Sequence, residues 1–153
     1  MEKTIKIEQG DISNLQEIVS LNHQIFDKMY EKDPYTLEEY KDRLKNKSPF
    51  ILVAKLNGKI IGNAISYKQD GSWYNWIMGV AEEYRGQGIG TQLLEQREQY
   101  AIQYGYKSIT AKVYGVSQAM QQLYKSRGYK VINVLKSKND PKYDALIFEL
   151  KLN

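Results

Sequence analysis

The stretch Trp73-Tyr74-Asn75-Trp76-Ile77-Met78-Gly79-Val80 is followed, after an acidic turn at 81–84, by Arg85-Gly86-Gln87-Gly88-Ile89-Gly90-Thr91. The first stretch is apolar and aromatic and predicts a β-strand. The second predicts a glycine-rich turn that leads into a helix from Ile89 to just before Gly105. The first N–H groups of a helix have no intrahelical partner and carry partial positive charge. Because glycines let an anion approach this backbone closely, the sequence predicts a phosphate-binding turn.

The spacing of the glycines separates several phosphate-binding motifs. Gly86, Gly88 and Gly90 follow G-x-G-x-G, whereas a dinucleotide-binding turn needs G-x-G-x-x-G and has its last glycine where Thr91 stands here. A P-loop needs a lysine directly after its last glycine, and none follows Gly90. The remaining pattern, Arg85-x-x-Gly88-x-Gly90, resembles the pyrophosphate-binding motif (Q/R)-x-x-G-x-(G/A) of the GNAT superfamily of acetyl-CoA-dependent N-acetyltransferases.

Composition predicts one soluble globular domain. The chain has 153 residues, of which 42% are hydrophobic and 26% charged, and this length can bury a core. Cysteine is absent, which excludes disulfides, thiolate metal sites and cysteine nucleophiles, and no metal site is predicted. The first residues are charged and alternating, and no apolar run reaches the length of a membrane span. A cytoplasmic location is therefore expected.

The net charge of +4 gives little support to nucleic-acid binding, because the lysines are scattered among glutamates. A modest positive balance suits a polyanionic cofactor, and ordinary solubility explains it equally well.

The remaining elements follow from turn and capping signals. Either Asp11 or Ser13 is expected to cap the first helix, with Ser13 and Gln16 placed as a capping box. Thr36 is expected to cap a second helix. The predicted strands are 4–9, 49–56, 59–68, 73–80, 108–114, 131–136 and 143–152, with Asn57-Gly58 as a hairpin turn. The first helix is expected to end before Asp33-Pro34, the next two at about 37–44 and 89–104, and the last between the Ser117 cap and Gly128.

This order, β-α-α-β-β-β-α-β-α-β-β, predicts an α/β (α+β) fold with a mixed central sheet and helices on both faces. It is also the order of the GNAT fold. The resemblance therefore covers essentially the whole chain, 1–153, as a single acetyltransferase domain.

A second motif supports the resemblance. The segment from Ser117 to Tyr129 is similar to the family element N-x-x-A-x-x-L-Y-x-x-x-G-F/Y, with matches at Leu123-Tyr124 and Gly128-Tyr129. Two positions depart from it, since Ser117 replaces asparagine and Met120 replaces alanine. Serine can still cap a helix. Its shorter side chain puts the contact that asparagine makes with the pantetheine arm in question.

The resemblance implies direct transfer of an acetyl group from acetyl-CoA to a primary amine of a small molecule, an amino acid or a peptide N-terminus. It implies that the end of the central strand bulges and splays, with Gly79 easing the bulge. A backbone N–H there would stabilise charge on the thioester oxygen. Tyr124 takes the family position of the general acid. The residues implied in cofactor binding are Met78, Gly79, Val80, Arg85, Gly86, Gln87, Gly88, Ile89, Gly90, Thr91, Ser117 and Tyr124.

The general base is not assigned by the sequence. The strand 73–80 contains no acidic residue, although Tyr74 or Asn75 could orient a water. Asp70 and Glu82 flank that strand, and His23 lies at the edge of the first helix's apolar stripe, where a boundary role is the commoner one. Four further carboxylates are candidates for the acceptor cleft, although a solvated helix face explains most of them: Glu31, Asp33, Glu38 and Glu39.

The acceptor site is expected between the first two helices and the closing hairpin. Predicted substrate-binding residues are Phe26, Tyr30, Tyr74 and Asn75. Further aromatic or apolar residues extend this pocket, belong to the core or form a dimer surface: Met29, Tyr35, Trp73 and Trp76. A cleft for a polycationic acceptor such as an aminoglycoside would need carboxylates that the sequence does not plainly show.

Two other classes of function stay open. A fold relative that binds acyl-CoA without catalysis, as a sensor or interaction module, would carry the same cofactor motifs. A nucleic-acid-binding domain is supported only by the net charge. The expected partner is an amine substrate, with no nucleic acid or membrane, and a homodimer is left open.

Overall fold

The computed structural model of the protein describes residues 4–27 and 35–152. Within these residues the element order is the predicted one. The strands are β1 (Lys6–Gln9), β2 (Phe50–Leu56), β3 (Lys59–Gln69), β4 (Ser72–Val80), β5 (Ser108–Tyr114), β6 (Lys130–Leu135) and β7 (Ala145–Lys151). The helices are α1 (Leu15–Phe26), α2 (Leu37–Leu44), α3 (Ile89–Gln103) and α4 (Gln118–Ser126).

The strands form one mixed sheet in the order β1-β2-β3-β4-β5-β7-β6. Neighbouring strands are antiparallel except for β4 and β5, which are parallel. The predicted hairpin between β2 and β3 is present, and Asn57 and Gly58 both have positive φ, as a two-residue type I′ turn requires.

Helices cover both faces of the sheet, as predicted. On β3, a Cβ at Gly62 would lie 3.5 Å from Ile89 of α3, while the next residue, Asn63, hydrogen-bonds to Asn22 of α1. Because successive strand residues point to opposite faces, α1 and α3 lie on opposite sides. On the α3 side, α4 is joined to α3 by Arg127, which forms ion pairs with two glutamates of α3.

The start of α1 differs from the prediction. The Ser13–Gln16 capping box is wrong: Asp11 accepts from the N–H of Ser13, and Asn14 accepts from the N–H of Asp11. This box begins a 3₁₀ turn, Ile12–Asn14, and α1 starts only at Leu15. The Ser13 hydroxyl also donates to Asp11, so this serine is committed to the turn. The Thr36 cap of α2 is confirmed, with Glu39 completing its capping box.

The C-terminal strand is shorter than predicted because a 3₁₀ turn, Pro141–Tyr143, precedes it. Asp140 accepts from the N–H of Lys142, and Pro141 takes the first position of the turn, where no N–H is needed. The strand therefore starts at Ala145 instead of Tyr143. No helix of the described chain is long and apolar enough to cross a membrane.

The centre of the sheet opens at β4. Ile77 pairs with Ile65 of β3 and Asn75 with Ser66, so Trp76 is an extra residue that forms a β-bulge. On its other edge β4 pairs with β5 only over Trp73–Asn75. The two parallel strands therefore separate just where the bulge begins.

Candidate functional site

A cleft of about 830 Å³ lies where β4 and β5 separate. Its walls come from the ends of these strands, the beginnings of α3 and α4, and the sides of α1 and α2. Most of the residues predicted to act in the site line this one cleft: Phe26, Tyr74, Asn75, Met78, Gly79, Val80, Arg85, Gly86, Gly88, Ile89, Gly90, Thr91, Ser117 and Tyr124. Gln87 is not among the lining residues, and Tyr30 lies outside the described residues.

The glycine turn forms an open backbone cradle at the start of α3. Gly86 and Gly88 have φ of +79° and +81°, and a Cβ at either would meet nothing within 4 Å. Gly88 is the N-cap residue, and no side chain caps the helix there. The first N–H groups of α3 are therefore available to an anion. This geometry fits a pyrophosphate.

Arg85 adds positive charge where β4 meets the turn. Its Nε donates to the carbonyl of Val80 at 3.2 Å, which holds the exposed guanidinium against the end of the strand. The negative group bound by the turn would therefore lie near a fixed cation.

The last residues of β4 present one free edge to the cleft. Ala81 donates to the carbonyl of Ile61 on β3 at 2.8 Å. Because N–H groups alternate between the two edges of a strand, those of Met78 and Val80 point away from β3, towards the gap left by β5. These two N–H groups can bind an extended amide-containing chain, such as pantetheine, or a thioester oxygen.

Gly79 packs against α1 and does not form the bulge, so that part of the prediction is wrong. The bulge lies at Trp76. A Cβ at Gly79 would come within 3.0 Å of both Asn22 Oδ1 and Ile25 Cδ1. Glycine is therefore needed here for the close approach of α1 to the sheet.

Gly79→Ala is expected to destabilise the fold by about 1–3 kcal/mol, because the added methyl overpacks a well-filled contact. The matched control is Gly90→Ala, whose Cβ would meet Leu123 at an ordinary 3.6 Å. Since alanine has a higher helix propensity than glycine, Gly90→Ala should leave the free energy of unfolding unchanged or raise it. Urea unfolding of both variants measures the difference, and equal free energies of unfolding would contradict it.

Tyr124 is buried, with 3% of the residue exposed, and it lines the cleft. Its ring stacks on Phe148 at 5.6 Å and meets the Tyr129 ring edge-on at 4.8 Å. Burial raises the pKa of the Tyr124 phenol, and this outweighs the opposing effects of the Arg97 guanidinium and the Asn75 amide. Tyr124 is therefore a protonated donor at neutral pH.

Arg97 is a buried cation that sequence reasoning missed. The residue is 1% exposed, and its Nη2 donates to the carbonyls of Ile65 and Ile77 at 2.8 and 2.5 Å. These residues are the pair that adjoins the bulge, so Arg97 holds the bulged segment of β4 from behind. A signal was present, because position 97 falls on the helical stripe of Leu93, Leu94 and Ala101.

Aromatic side chains from α2 and β4 line the opposite end of the cleft. Trp76 meets the rings of Tyr40 and Tyr35 at 5.0 and 5.9 Å, and Arg43 lies over Trp76. Tyr74 is close by, and burial raises its pKa to about 12, so it too is a neutral hydroxyl. The capping Ser117 also lines the cleft, although its side chain makes no capping bond to α4.

Trp73 does not belong to this pocket. It lies on the other face of the sheet, where it packs against three aromatic residues: Phe50, Tyr100 and Tyr106. Trp73 is buried in this aromatic cluster and is not among the residues that line the cleft.

The candidate bases divide by position. His23 and Glu39 line the cleft, and a ring nitrogen of His23 lies 2.7 Å from the carbonyl of Tyr35. Asp70 and Glu82 are not among the lining residues, and Glu38 is exposed beside Lys41. Two candidates fall outside the described residues, Glu31 and Asp33.

The family model described as "Acetyltransferase (GNAT) family" matches residues 15–129. The chain belongs to the GNAT acetyltransferase family. The match includes both the glycine turn and the Leu123-Tyr124 motif. The GNAT protein is therefore an enzyme that transfers an acetyl group with acetyl-CoA as its cofactor.

Solved structures show the same GNAT fold. The ribosomal-protein-S18-alanine N-acetyltransferase of Escherichia coli is 18% identical, with a TM-score of 0.82 over 98% of this chain and 95% of that chain. An N-acetyltransferase of Staphylococcus aureus Mu50 is 21% identical, with a TM-score of 0.81 over 99% and 100%. The structure of yncA from Salmonella typhimurium with its cofactor acetyl-CoA is 19% identical, with a TM-score of 0.79 over 99% and 95%.

Proposed function

We propose that this GNAT enzyme acetylates a primary amine of a small molecule, an amino acid or a peptide N-terminus by direct transfer. One observation carries the proposal. The open edge of β4, the glycine turn of α3 and the buried hydroxyl of Tyr124 meet in a single cleft. Each supplies one requirement of acyl transfer: a place for the acyl chain, a place for the anion, and a proton.

When bound, acetyl-CoA supplies the acetyl group as a reactive thioester. The residues that would hold it follow the geometry of the cleft. The backbone from Gly86 to Thr91 would bind the pyrophosphate, with Arg85 as an adjacent cation. Met78 and Val80 would offer N–H groups to the pantetheine arm. Ser117 lies at the start of α4 in the same cleft and would flank that arm.

The strand end would also stabilise the reacting carbonyl. An N–H of Met78 or Val80 is fixed by the β3–β4 pairing and by Arg97 behind the bulge. A donor that is already oriented costs no reorganisation when negative charge develops on an oxygen. Tyr124 would then give its proton to the departing sulfur. It can do so because burial keeps the phenol protonated.

The incoming amine would enter from the side of α1 and α2. Phe26 and Tyr74 line the cleft on this side. Asn75 lines it nearer to Tyr124 and is held by a hydrogen bond in which Ser66 donates to its Oδ1 at 3.1 Å. Of the candidate bases, His23 and Glu39 line the described cleft. Either would take the proton from the amine directly or through a water. Neither is assigned as the base.

The test is release of coenzyme A thiol when the protein, acetyl-CoA and a library of amines are mixed. Turnover with at least one primary amine, and none without it, supports amine acetylation. Binding of acetyl-CoA with no thiol release across the library would favour the non-catalytic sensor. A mass increase of one acetyl group on the amine identifies the product.

Two expectations from the sequence stay predictions: a cytoplasmic location, and the absence of nucleic-acid and membrane partners. Salt-dependent binding to random duplex DNA would contradict the second. The question of a homodimer stays open, and sedimentation at several protein concentrations answers it.

A further inference from the structure

We propose that the acceptor carries a carboxylate in addition to its amine, and that Arg43 binds this carboxylate at the α2 end of the cleft. This inference rests on the proposed amine acetylation and names its substrate class. The acceptor would be an amino acid or an amine built like one.

Arg43 is held in a defined position by aromatic side chains. Its guanidinium lies 4.7 Å from the Trp76 ring and 5.1 Å from the Tyr35 ring. Its Nη2 also donates to the Tyr35 hydroxyl at 3.3 Å. Stacking of this kind fixes the plane of the guanidinium and leaves its edge for hydrogen bonding. Arg43 is therefore a preorganised donor.

The charge of Arg43 is not neutralised within the described residues, where no ion pair joins it to an aspartate or glutamate. Arg127 offers a contrast, since it is paired with both Glu95 and Glu98. Arg43 is partly buried, and removing a cation from water without a partner is unfavourable. A carboxylate on the ligand would supply the missing partner in the planar geometry that arginine prefers.

The charged groups around the cleft favour an anionic acceptor over a polycationic one. Among the residues that the structure describes, Arg43, Lys112 and Arg85 line it, against one lining carboxylate, that of Glu39. That carboxylate already accepts the N–H of Thr36 in the cap of α2. Because Arg85 lies at the glycine turn, Arg43 and Lys112 remain for the acceptor.

The surrounding surface indicates the rest of the acceptor. The cleft that Arg43 and Tyr124 share is also lined by Tyr74, Asn75 and Trp76. Aromatic rings of this kind bury an apolar or aromatic skeleton, and the few polar groups orient it. A carboxylate on Arg43 would thus direct the amine towards the free edge of β4.

The experiment compares L-amino acids with their amides as acceptors, which differ only in the carboxylate. We expect the native enzyme to prefer the acids by at least about 10-fold in kcat/KM, the minimum for one charge-assisted contact. Arg43→Gln should raise KM for the preferred acid by about 10- to 100-fold and leave KM for its amide and for acetyl-CoA unchanged. Arg43→Lys should fall between, because it keeps the charge and loses the planar fork.

Lys41→Gln is the matched control. It removes one positive charge from the same helix, at an exposed position beside Glu38, and should leave all of these constants unchanged. Circular dichroism and thermal melting establish that each variant is folded. An equal rise of KM for acid and amide in Arg43→Gln would show a packing role alone, and equal use of acids and amides by the native enzyme would overturn the proposal.

A binding measurement keeps the proposal falsifiable without turnover. The probe is 3-phenylpropionate, which has an aromatic ring and a carboxylate but no amine, titrated into native protein and Arg43→Gln by NMR. We expect binding that the substitution weakens by at least about 10-fold. No binding, or binding that Arg43→Gln leaves unchanged, would overturn the carboxylate site. If acetyl-CoA also fails to bind or to react with any amine, the proposed function itself fails, which is a separate result.

Discussion

Tyr124→Phe is expected to lower kcat by about 10²- to 10⁴-fold, the usual contribution of one general acid. The affinity for acetyl-CoA should change little, because phenylalanine keeps the ring that stacks on Phe148 and meets Tyr129. The departing thiolate would then leave without a proton from the protein. The measurements are thiol release at saturating substrates and calorimetric titration of acetyl-CoA.

Tyr129→Phe is the matched control for this substitution. Tyr129 is also buried, and its hydroxyl donates to Glu98 at 3.0 Å, on the side of α4 that faces α3. Removing that hydroxyl should cost about 1–3 kcal/mol of stability through the partly unsatisfied carboxylate, with kcat unchanged. A kcat for Tyr124→Phe within threefold of the native value would assign its hydroxyl to packing.

The pH dependence of the native enzyme gives an independent reading of Tyr124. A general acid acts in its protonated form, so deprotonation of the phenol would lower the rate at high pH. Since burial raises the pKa of Tyr124 above its usual value of 10.0, kcat should show no loss from this group below pH 10. A descending limb that appears below pH 9 and disappears in Tyr124→Phe would contradict this environment.

Gly88→Asp is expected to weaken acetyl-CoA binding by at least about 100-fold, because it places a carboxylate against the pyrophosphate. Two unit charges at 4 Å repel by about 4 kcal/mol at the effective dielectric constant of a protein surface. This repulsion exceeds the roughly 2.8 kcal/mol that a 100-fold loss of affinity requires. The fold should tolerate the change. A Cβ at Gly88 meets nothing within 4 Å, although a side chain at its φ of +81° strains the backbone. This strain should cost only about 1–2 kcal/mol, because aspartate is among the residues that adopt positive φ most readily.

Gly88→Asn isolates the charge, because asparagine has nearly the same shape and the same tolerance of positive φ. It should weaken binding far less than Gly88→Asp. The charge of the aspartate should weaken acetyl-CoA binding but stabilise the fold relative to Gly88→Asn, because a negative charge at the start of α3 interacts favourably with the helix dipole. Calorimetric affinities that are equal for the two variants would show that the turn does not hold the pyrophosphate.

Local features of the fold were predictable because each depends on a few neighbouring residues. Asn57-Gly58 has the positive φ values of its hairpin turn, and Gly105 and Gly128 end their helices with positive φ. Thr36 and Glu39 form their capping box. Short-range backbone sterics and hydrogen bonds decide such features, so their signals survive in the sequence.

Features that depend on contacts between distant segments were not predictable in the same way. The bulge lies at Trp76 and not at Gly79, because the pairing with β3 and the bonds from Arg97 place it there. Trp73 lies on the opposite face from Tyr74, yet both read as candidates for one aromatic pocket. Alternation shows that neighbours differ in face. The gap between β4 and β5 decides which of them line the cleft, since Tyr74 and Asn75 line it and Trp73 does not.

By itself, the sequence determined the order of elements, the glycine turn at the start of α3 and the presence of Tyr124 on α4, since these follow from spacing along the chain. Only the tertiary structure decided that Arg97 supports β4 from within the core and that Arg43 lies over Trp76 in the cleft. The physical reason is that a charged side chain on a helix is predicted to be exposed to solvent from any short stretch of sequence around it. Its burial and its partners are set by elements that pack from elsewhere in the chain.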